Sequence, residues 1–526
     1  MSNEQSVSIS SLALFVLHTL GDAGFEAYIV GGAVRDLLSN RQADTMDYDF
    51  TTNAKPEQII ALFPESFYEN KFGTVSISAE HLLEQMGVSI DDQKQFIVSK
   101  NEAESSKLID LTQATKVHES LTEVLEEIPN NEPQPKLGIP LFEITTFRSD
   151  GAYTDNRRPD EVTWGESLEE DLERRDFTIN AMALSIASTT IKKIDSLHPT
   201  PLVTLPESAY RVHDPHRGQA DLENQIIKTV GEPSKRFGED ALRMLRAVRF
   251  SVQLNFTIET NTFAAIAMHA DSLAKISEER ISIELLKMLA SNYPAEGIEL
   301  LDDLKLLPHI LPELLEAKGV EQGGHHITDV WVHSIDALRE CPSTDPIVRL
   351  ATLLHDIGKP ATQARTNGAI TFYNHEIIGS RIAAKIANRL RLSKKDRERV
   401  FTLVRHHMFH YQVHDTDAAI RRFMKKVGLH NIDDMLDLRE ADRLGSNARR
   451  TSWRLEEMKQ RMISQLHQPM EVKDLAINGN DLMKELGLKP GPQLGKILNA
   501  LFEEVLENPE LNTKETLLEK AKHIAL

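Results

Sequence analysis

The residues Ala27-Tyr28-Ile29-Val30 run straight into Gly31-Gly32-Ala33-Val34-Arg35-Asp36, and this stretch decides how the N-terminal part of the chain is read. A short apolar run suits a buried strand, and paired glycines suit a turn that opens a helix. A second strand is expected at Tyr48 to Thr52. Lys55-Pro56-Glu57 then starts another helix, with proline in the first turn where its missing N–H costs least. Residues 141–147 are strand-like, and Leu168 to Leu184 is expected to be helical, so the first 200 residues form one α+β unit. Beyond about residue 205 strand signals almost vanish. Amphipathic patterns at Asp240–Phe250, Ile281–Leu289 and Glu376–Leu390 make the remainder an all-helical series. Residues 80–139 carry five lysines against twelve acids without sustained periodicity, and are read as an acidic, partly disordered insertion.

At 526 residues the chain is too long for one core, and 40% hydrophobic with 27% charged residues is ordinary for soluble globular domains. Leu12 to Leu20 is too short to span a bilayer and follows no basic residues, so neither a membrane anchor nor a signal peptide is expected and the cytoplasm is the expected address. The single cysteine, Cys341, allows no internal disulfide and no cysteine-based metal cluster. A net charge of −20 excludes a generally basic surface, so any nucleic-acid contact must be local. Two patches qualify, Arg421, Arg422, Lys425 and Lys426, then Arg449, Arg450 and Arg454, with solvated helix faces as the alternative.

Asp47-Tyr48-Asp49 places two carboxylates at i and i+2 on a strand, where alternate side chains share a face. Such oxygens repel unless a cation joins them, and Mg²⁺ favours carboxylates with phosphate oxygens. The glycine turn just upstream lets backbone N–H groups approach a triphosphate at a helix N-terminus. Arg174, Arg175 and Asp176 add two guanidiniums beside an acid, suited to polyphosphate, with a surface ion pair as the bland reading.

These motifs, V-G-G-A-V-R-D, D-x-D and R-R-D-F-T-I-N-A-M-A, resemble the head of class II tRNA nucleotidyltransferases and the related bacterial poly(A) polymerases. The resemblance extends through Asp214-Pro215, Gly218, Asp221-Leu222, the run Arg236 to Phe250, and Ile276 to Ile281, and covers roughly residues 25 to 290 apart from the insertion. It implies a polymerase-β-like mixed sheet followed by all-α neck and body. Asp47 and Asp49 would be the catalytic, Mg²⁺-binding pair. Gly31, Gly32, Arg35, Arg174, Arg175 and Asp176 would bind the nucleotide. Glu143 is a third acid that fits either the site or a strand.

Asp240, Arg243 and Arg246 lie three apart, so on one helix they would fan over about 120° and could face one ligand. An ionised Asp only accepts and Arg only donates hydrogen bonds, which suits the amino and ring-nitrogen edge shared by cytosine and adenine. The resemblance gives Asp240 and Arg243 the role of reading the base, with Arg246 and Arg249 beside them; an intrahelical ion pair is the alternative.

Further on, His333, His355-Asp356, His375, His406 and Asp442 stand in helical sequence, with Leu353-Leu354-His355-Asp356-Ile357-Gly358-Lys359 at their centre. The set resembles the HD phosphohydrolase superfamily. Imidazoles with carboxylates suit Ni²⁺, Mn²⁺ or Mg²⁺, and this many ligands could hold two ions. His325, His326 and His407 are neighbouring candidates. Asp474-Leu475, Gly479, Asp481-Leu482 and Leu488-Lys489-Pro490-Gly491-Pro492 resemble the C-terminal segment of HD-bearing members, serving tRNA docking or packing.

The expected organisation is a head at 1–200 with the insertion at about 80–139, a helical neck and body at 201–320, an HD domain at 321–450 and a tail at 451–526. The expected activity is addition of C and A from CTP and ATP to the tRNA 3′ end, with HD phosphohydrolase activity beside it. An A-only enzyme or poly(A) polymerase is the near alternative. A phosphohydrolase with a non-catalytic RNA-binding head is the distant one.

Overall fold

The computed structural model describes residues 6–39, 48–68, 73–88, 141–150, 162–165, 167–187, 202–323, 328–366 and 368–525. They fall into two compact units, one ending at Ile310 and one beginning at Leu311.

The first unit contains strands β1 (Ser6–Ile9), β2 (Ala27–Val30), β3 (Asp49–Thr52), β4 (Phe67–Tyr68), β5 (Thr74–Ser78), β6 (Leu141–Thr146), β7 (Arg148–Asp150), β8 (Val162–Trp164), β9 (Ala183–Ile186), β10 (Val203–Pro206) and β11 (Tyr210–His213). Seven of them form one mixed sheet in the order β11-β9-β2-β3-β6-β5-β4, with β3 and β6 parallel and the other pairs antiparallel. Side-chain alternation sends Phe50 and Ile144 into a core shared with the helices Ser11–Asp22, Pro56–Leu62 and Ala79–Gln85. Asp49 and Glu143, neighbours in the β3–β6 register, are exposed. Val30 and Ala183 pack against Leu168 and Leu172 of the helix Leu168–Glu173 in a second apolar cluster.

Three sequence expectations change here. Leu168–Leu184 is not one helix. It stops at Glu173, passes through a 3-10 turn at Thr178–Asn180 and becomes β9, because residues 176–184 are buried without a break and leave no polar face for an amphipathic helix. The helix expected from Asp240 also breaks: one helix ends at Glu239 and the next runs Leu242–Leu254, with Asp240 extended between them and its Oδ1 accepting from the Leu242 N–H at 3.0 Å. Finally, the start of the acidic segment is structural. Ser78 caps Ala79–Gln85, and Leu82 and Leu83 are fully buried; residues 89–139 lie outside the described ones.

The second unit is almost wholly helical. Val330–Arg339, Pro346–Leu354, Lys394–His406 and Trp453–Gln465 each start at an Asp or Ser whose side chain accepts a backbone N–H. His375–Arg389 and Ile432–Gly445 complete the frame around the histidines. The tail helices Gly479–Leu486, Pro492–Glu507 and Lys514–Ala525 enclose their own core, centred on Leu482, Leu501 and Leu517. The patch Arg421 to Lys426 is largely spent on this packing. Buried Arg421 donates to the carbonyls of Leu506 and Glu507, Arg422 meets Glu507, and Lys425 meets Glu503. Arg449, Arg450 and Arg454 remain exposed. Among the described residues no helix is long and apolar enough to cross a membrane.

Candidate functional site

In the first unit, Gly31 joins β2 to the helix Gly32–Leu38 with φ +73° and ψ −137°. A Cβ at Gly31 would stand 3.1 Å from Arg175 Nη1 and 3.5 Å from Asp49 Oδ2, so a carboxylate, a guanidinium and a bare backbone turn converge there. That opening suits a phosphate held by N–H groups and a cation held by carboxylate oxygens. Asp47, the other half of the acid pair, lies outside the described residues. Gly32 follows at the start of the helix, where Arg35 Nη2 would meet its Cβ at 3.4 Å.

The arginines are held by acids. Asp171, fully buried, accepts from Arg174 at 2.6 Å and Arg175 at 3.1 Å. Burial would raise its pKa, but Arg175 and Arg174 outweigh that and hold it below the usual range. Asp176 is buried too, and against the upward push of burial its bond to Arg246, at 2.5 Å, brings its pKa down to about 2. Arg243 donates to the Arg174 carbonyl at 2.9 Å and pairs with Glu239, while Asp240 pairs with Arg280 at 2.6 Å. Asp240, in the extended link between two helices, and Arg243, in the first turn of the second, thus each have a protein partner. Two assigned arginines sit deeper than expected. Arg35 is buried against Asp36 and Asn180. Arg249 is buried against Glu284 and stacks 4.0 Å from the Phe250 ring centroid. Both brace the site's frame, because a buried guanidinium must be paired.

In the second unit the imidazoles converge. His333 Nε2 is 3.1 Å from His355 Nε2, 3.4 Å from Asp356 Oδ2 and 3.3 Å from Asp442 Oδ1. His375 Nε2 is 3.3 Å from Asp356 Oδ1 and 3.3 Å from His407 Nε2. The Nδ1–H groups of His355, His375 and His407 donate to the carbonyls of Thr352, Phe372 and Val404 at 2.7 to 2.8 Å, which leaves each Nε2 a bare acceptor aimed inward. Acceptors facing acceptors in a buried site require a cation or extra protons, so this donor set fits a divalent metal. Two ligand groups share Asp356, one with His333 and His355, the other with His375 and His407. Lys359 Nζ stands 2.6 Å from Asp356 Oδ2 and supplies part of the counter-charge.

His406 is not in this cluster. It ends the helix Lys394–His406 beside Arg405 and Lys426, where burial and those cations depress its pKa, while His407 one residue on points inward. The helix buries Val400, Leu403 and Val404, and position 407 continues that i, i+3, i+4, i+7 stripe; the periodicity could have identified it. Asp171 carried a comparable signal, an acid in register with buried Leu168 and Leu172. Nothing local pointed to Arg280 as the partner of Asp240. His325 and His326 lie outside the described residues.

The chain matches family models described as Poly A polymerase head domain, at residues 27–115 and 97–228, and tRNA nucleotidyltransferase domain 2, at residues 382–521. A further match, at residues 255–318, is described as a probable RNA and SrmB binding site of polymerase A. It is 31% identical over 517 residues to a CCA-adding enzyme of Ligilactobacillus salivarius, covering 97% of this chain and 96% of that one. An A-adding tRNA nucleotidyltransferase of Deinococcus radiodurans is 36% identical over 352 residues, 64% of this chain and 75% of the relative. The crystal structure of Bacillus stearothermophilus CCA-adding enzyme in complex with CTP aligns with a TM-score of 0.60 at 25% identity, covering 98% of this chain and 96% of that one. A mixed-sheet head with this acid-and-arginine site defines a nucleotidyltransferase. By its near full-length similarity, the chain belongs to the tRNA nucleotidyltransferase family.

Proposed function

We propose that the first unit adds C and A from CTP and ATP to the 3′ end of tRNA in the cytoplasm, with no nucleic-acid template. The convergence of Asp49, Arg175 and the Gly31 turn carries this reading, and the family's CCA-adding members support it. Asp47 and Asp49 would hold Mg²⁺, which when bound lowers the pKa of the RNA hydroxyl and screens the triphosphate. The RNA 3′-hydroxyl gives its proton to water as its oxygen bonds to the α-phosphorus, the bond to pyrophosphate breaks, and Arg174 and Arg175 counter the charge of the departing group. Gly31 and Gly32 keep the turn open, while Asp176 fixes Arg246. Asp240 accepts from the amino group of cytosine or adenine and Arg243 donates to the ring nitrogen, in exchange for their present partners Arg280 and Glu239.

The test is incubation of purified protein and tRNA lacking its 3′ terminus with each labelled NTP, followed by product sequencing. Successive C, C and A additions are expected. Incorporation of A alone would make the chain an A-adding enzyme like its Deinococcus relative or a poly(A) polymerase, and no incorporation would sink the reading.

The buried cluster favours a second activity. His333, His355, Asp356, His375, His407 and Asp442 would hold one or two divalent ions, Ni²⁺, Mn²⁺ or Mg²⁺, which supply hydroxide from bound water near neutral pH. The unit then acts as an HD-type phosphohydrolase on phosphoesters such as 2′,3′-cyclic phosphates, whose removal frees a 3′-hydroxyl. Metal content by mass spectrometry and hydrolysis with each ion test it; a chain that binds no metal at these residues carries a relic scaffold.

A further inference from the structure

We propose that the cleft over the histidine cluster continues into a groove for single-stranded RNA, so that the phosphohydrolase acts on the end of a polymer rather than on free nucleotides. The inference rests on the phosphohydrolase reading of that cluster.

The cleft measures about 490 Å³ and is lined by Asp356, His375, His407 and Asp442. That volume lies within the roughly 300–1,000 Å³ of small-ligand sites, so it suffices for a terminal nucleotide. Yet a second cavity of about 290 Å³ lies alongside, and Arg439 and Arg443 line both. A free nucleotide has no use for that extension; a chain of nucleotides does.

The walls have the composition that single strands need. Arg439 is held to Asp442 at 2.7 Å, and Arg443 donates to the carbonyls of Arg449 and Thr451, so both guanidiniums are fixed where backbone phosphates would pass from one cavity to the other. Aromatic rings stand open at both ends. Tyr373, in the cluster cleft, is 75% exposed, and Trp453, in the second cavity, is 61% exposed with the Arg454 guanidinium 5.3 Å from its ring centroid. Water-facing aromatics beside fixed guanidiniums form a stacking platform with an electrostatic track, the arrangement that takes single strands without reading their sequence. In a chain of net charge −20 this basic strip is local. Duplex RNA keeps its bases stacked and could not use the open rings.

The RNA end enters the cluster cleft with its penultimate nucleotides along Arg439 and Arg443 and a base on Trp453. Hydrolysis then forms a bond from a water oxygen to the terminal phosphorus and breaks the bond to a ribose oxygen, which takes up the proton.

The experiment uses the full-length, Mn²⁺-loaded protein with a single-stranded hexanucleotide ending in a 2′,3′-cyclic phosphate, a 3′-phosphate or a 5′-phosphate, and with cyclic 2′,3′-CMP. Trp453→Ala and Arg454→Gln should each raise KM for the hexanucleotide by roughly tenfold, as expected for loss of one stacked base. Both should leave kcat and KM for cyclic CMP unchanged, and Trp453→Phe should restore the hexanucleotide KM. Titrating with a hexanucleotide ending in 3′-hydroxyl should quench part of the tryptophan fluorescence of the wild type, and that part should be missing from Trp453→Phe, since the chain has three tryptophans. Equal hexanucleotide KM values in wild type and variants, with metal bound and cyclic CMP hydrolysed, would overturn the groove alone. Failure to bind metal or to hydrolyse cyclic CMP would overturn the underlying reading instead.

Discussion

The two units bury charge by opposite devices. In the first, each buried acid described faces a guanidinium: Asp171 with Arg174 and Arg175, Asp176 with Arg246, Glu284 with Arg249. Each of these acids already has its counter-charge, so the frame needs no added cation to keep its shape, and Asp49 and Arg175 meet at the Gly31 turn, where the triphosphate would lie. In the second, the Nε2 atoms of four histidines, three of them with their protons committed to carbonyls through Nδ1, approach one another and two carboxylates, an arrangement that calls for a cation or added protons. A site braced by internal ion pairs is preorganised, whereas a site of converging acceptors is completed by its metal.

The contrast breaks most plainly if the units share a function, which a crossed pair of variants tests. Asp49→Asn should lower nucleotide addition at least about a thousandfold while hydrolysis and the metal content of the cluster persist. Asp356→Asn, which removes the carboxylate common to both ligand groups, should abolish hydrolysis and metal uptake yet leave addition to an unblocked tRNA unchanged. A variant that loses both activities while still folded would show that the sites are coupled.

The two glycines at the centres of these sites sharpen the comparison at intermediate scale. Gly31→Ala meets positive φ and the tip of the flexible Arg175 side chain, so the fold should survive while addition falls roughly ten- to a hundredfold as Arg175 is displaced. Gly358→Ala meets backbone instead, with its Cβ 2.2 Å from the His375 carbonyl oxygen and 2.6 Å from the Gly379 nitrogen. The helix His375–Arg389 must move away, which should destabilise the second unit by about 1–3 kcal/mol and weaken metal retention. Thermal unfolding and metal analysis separate the two outcomes; a Gly358→Ala protein of normal stability and full metal content would show that this contact does not fix the cluster.

What the sequence discloses follows the same division. β2 and the glycine turn were legible because a short apolar run before two glycines has few other readings, and His355-Asp356 because an adjacent imidazole and carboxylate directly after an apolar run are conspicuous. Choosing His407 over His406 required knowing which helix face points inward, one residue being about 100° of rotation. The stripe Val400, Leu403, Val404 held that information, but the shared histidine type obscured it. The break at Asp240 was hidden because period alone cannot show that a carboxylate will take the backbone N–H of Leu242 and end one helix before the next begins. Pairings across the fold, such as Asp240 with Arg280 or Asp176 with Arg246, have no local trace at all.

The smallest effect tests whether the ion pairs of the first unit brace it as described. Asp176 has a folded-state pKa of about 2 against an ordinary 3.8, so its carboxylate favours the folded state above pH 4 and loses that advantage as pH falls toward 2. The shift corresponds to about 2 kcal/mol, and because the residue is only 7% exposed little of it is screened. About half should already be gone at pH 3. Asp176→Asn removes the titration while keeping the shape, leaving a pH-independent loss from unpaired Arg246. The stability difference between wild type and variant should therefore be constant from pH 7 to 5 and shrink by about 1 kcal/mol at pH 3, read from urea midpoints of the first unit's unfolding transition. A difference that stays flat down to pH 3 would mean that Asp176 is not held ionised by Arg246, and that the frame around the nucleotide site depends on packing rather than on its ion pairs.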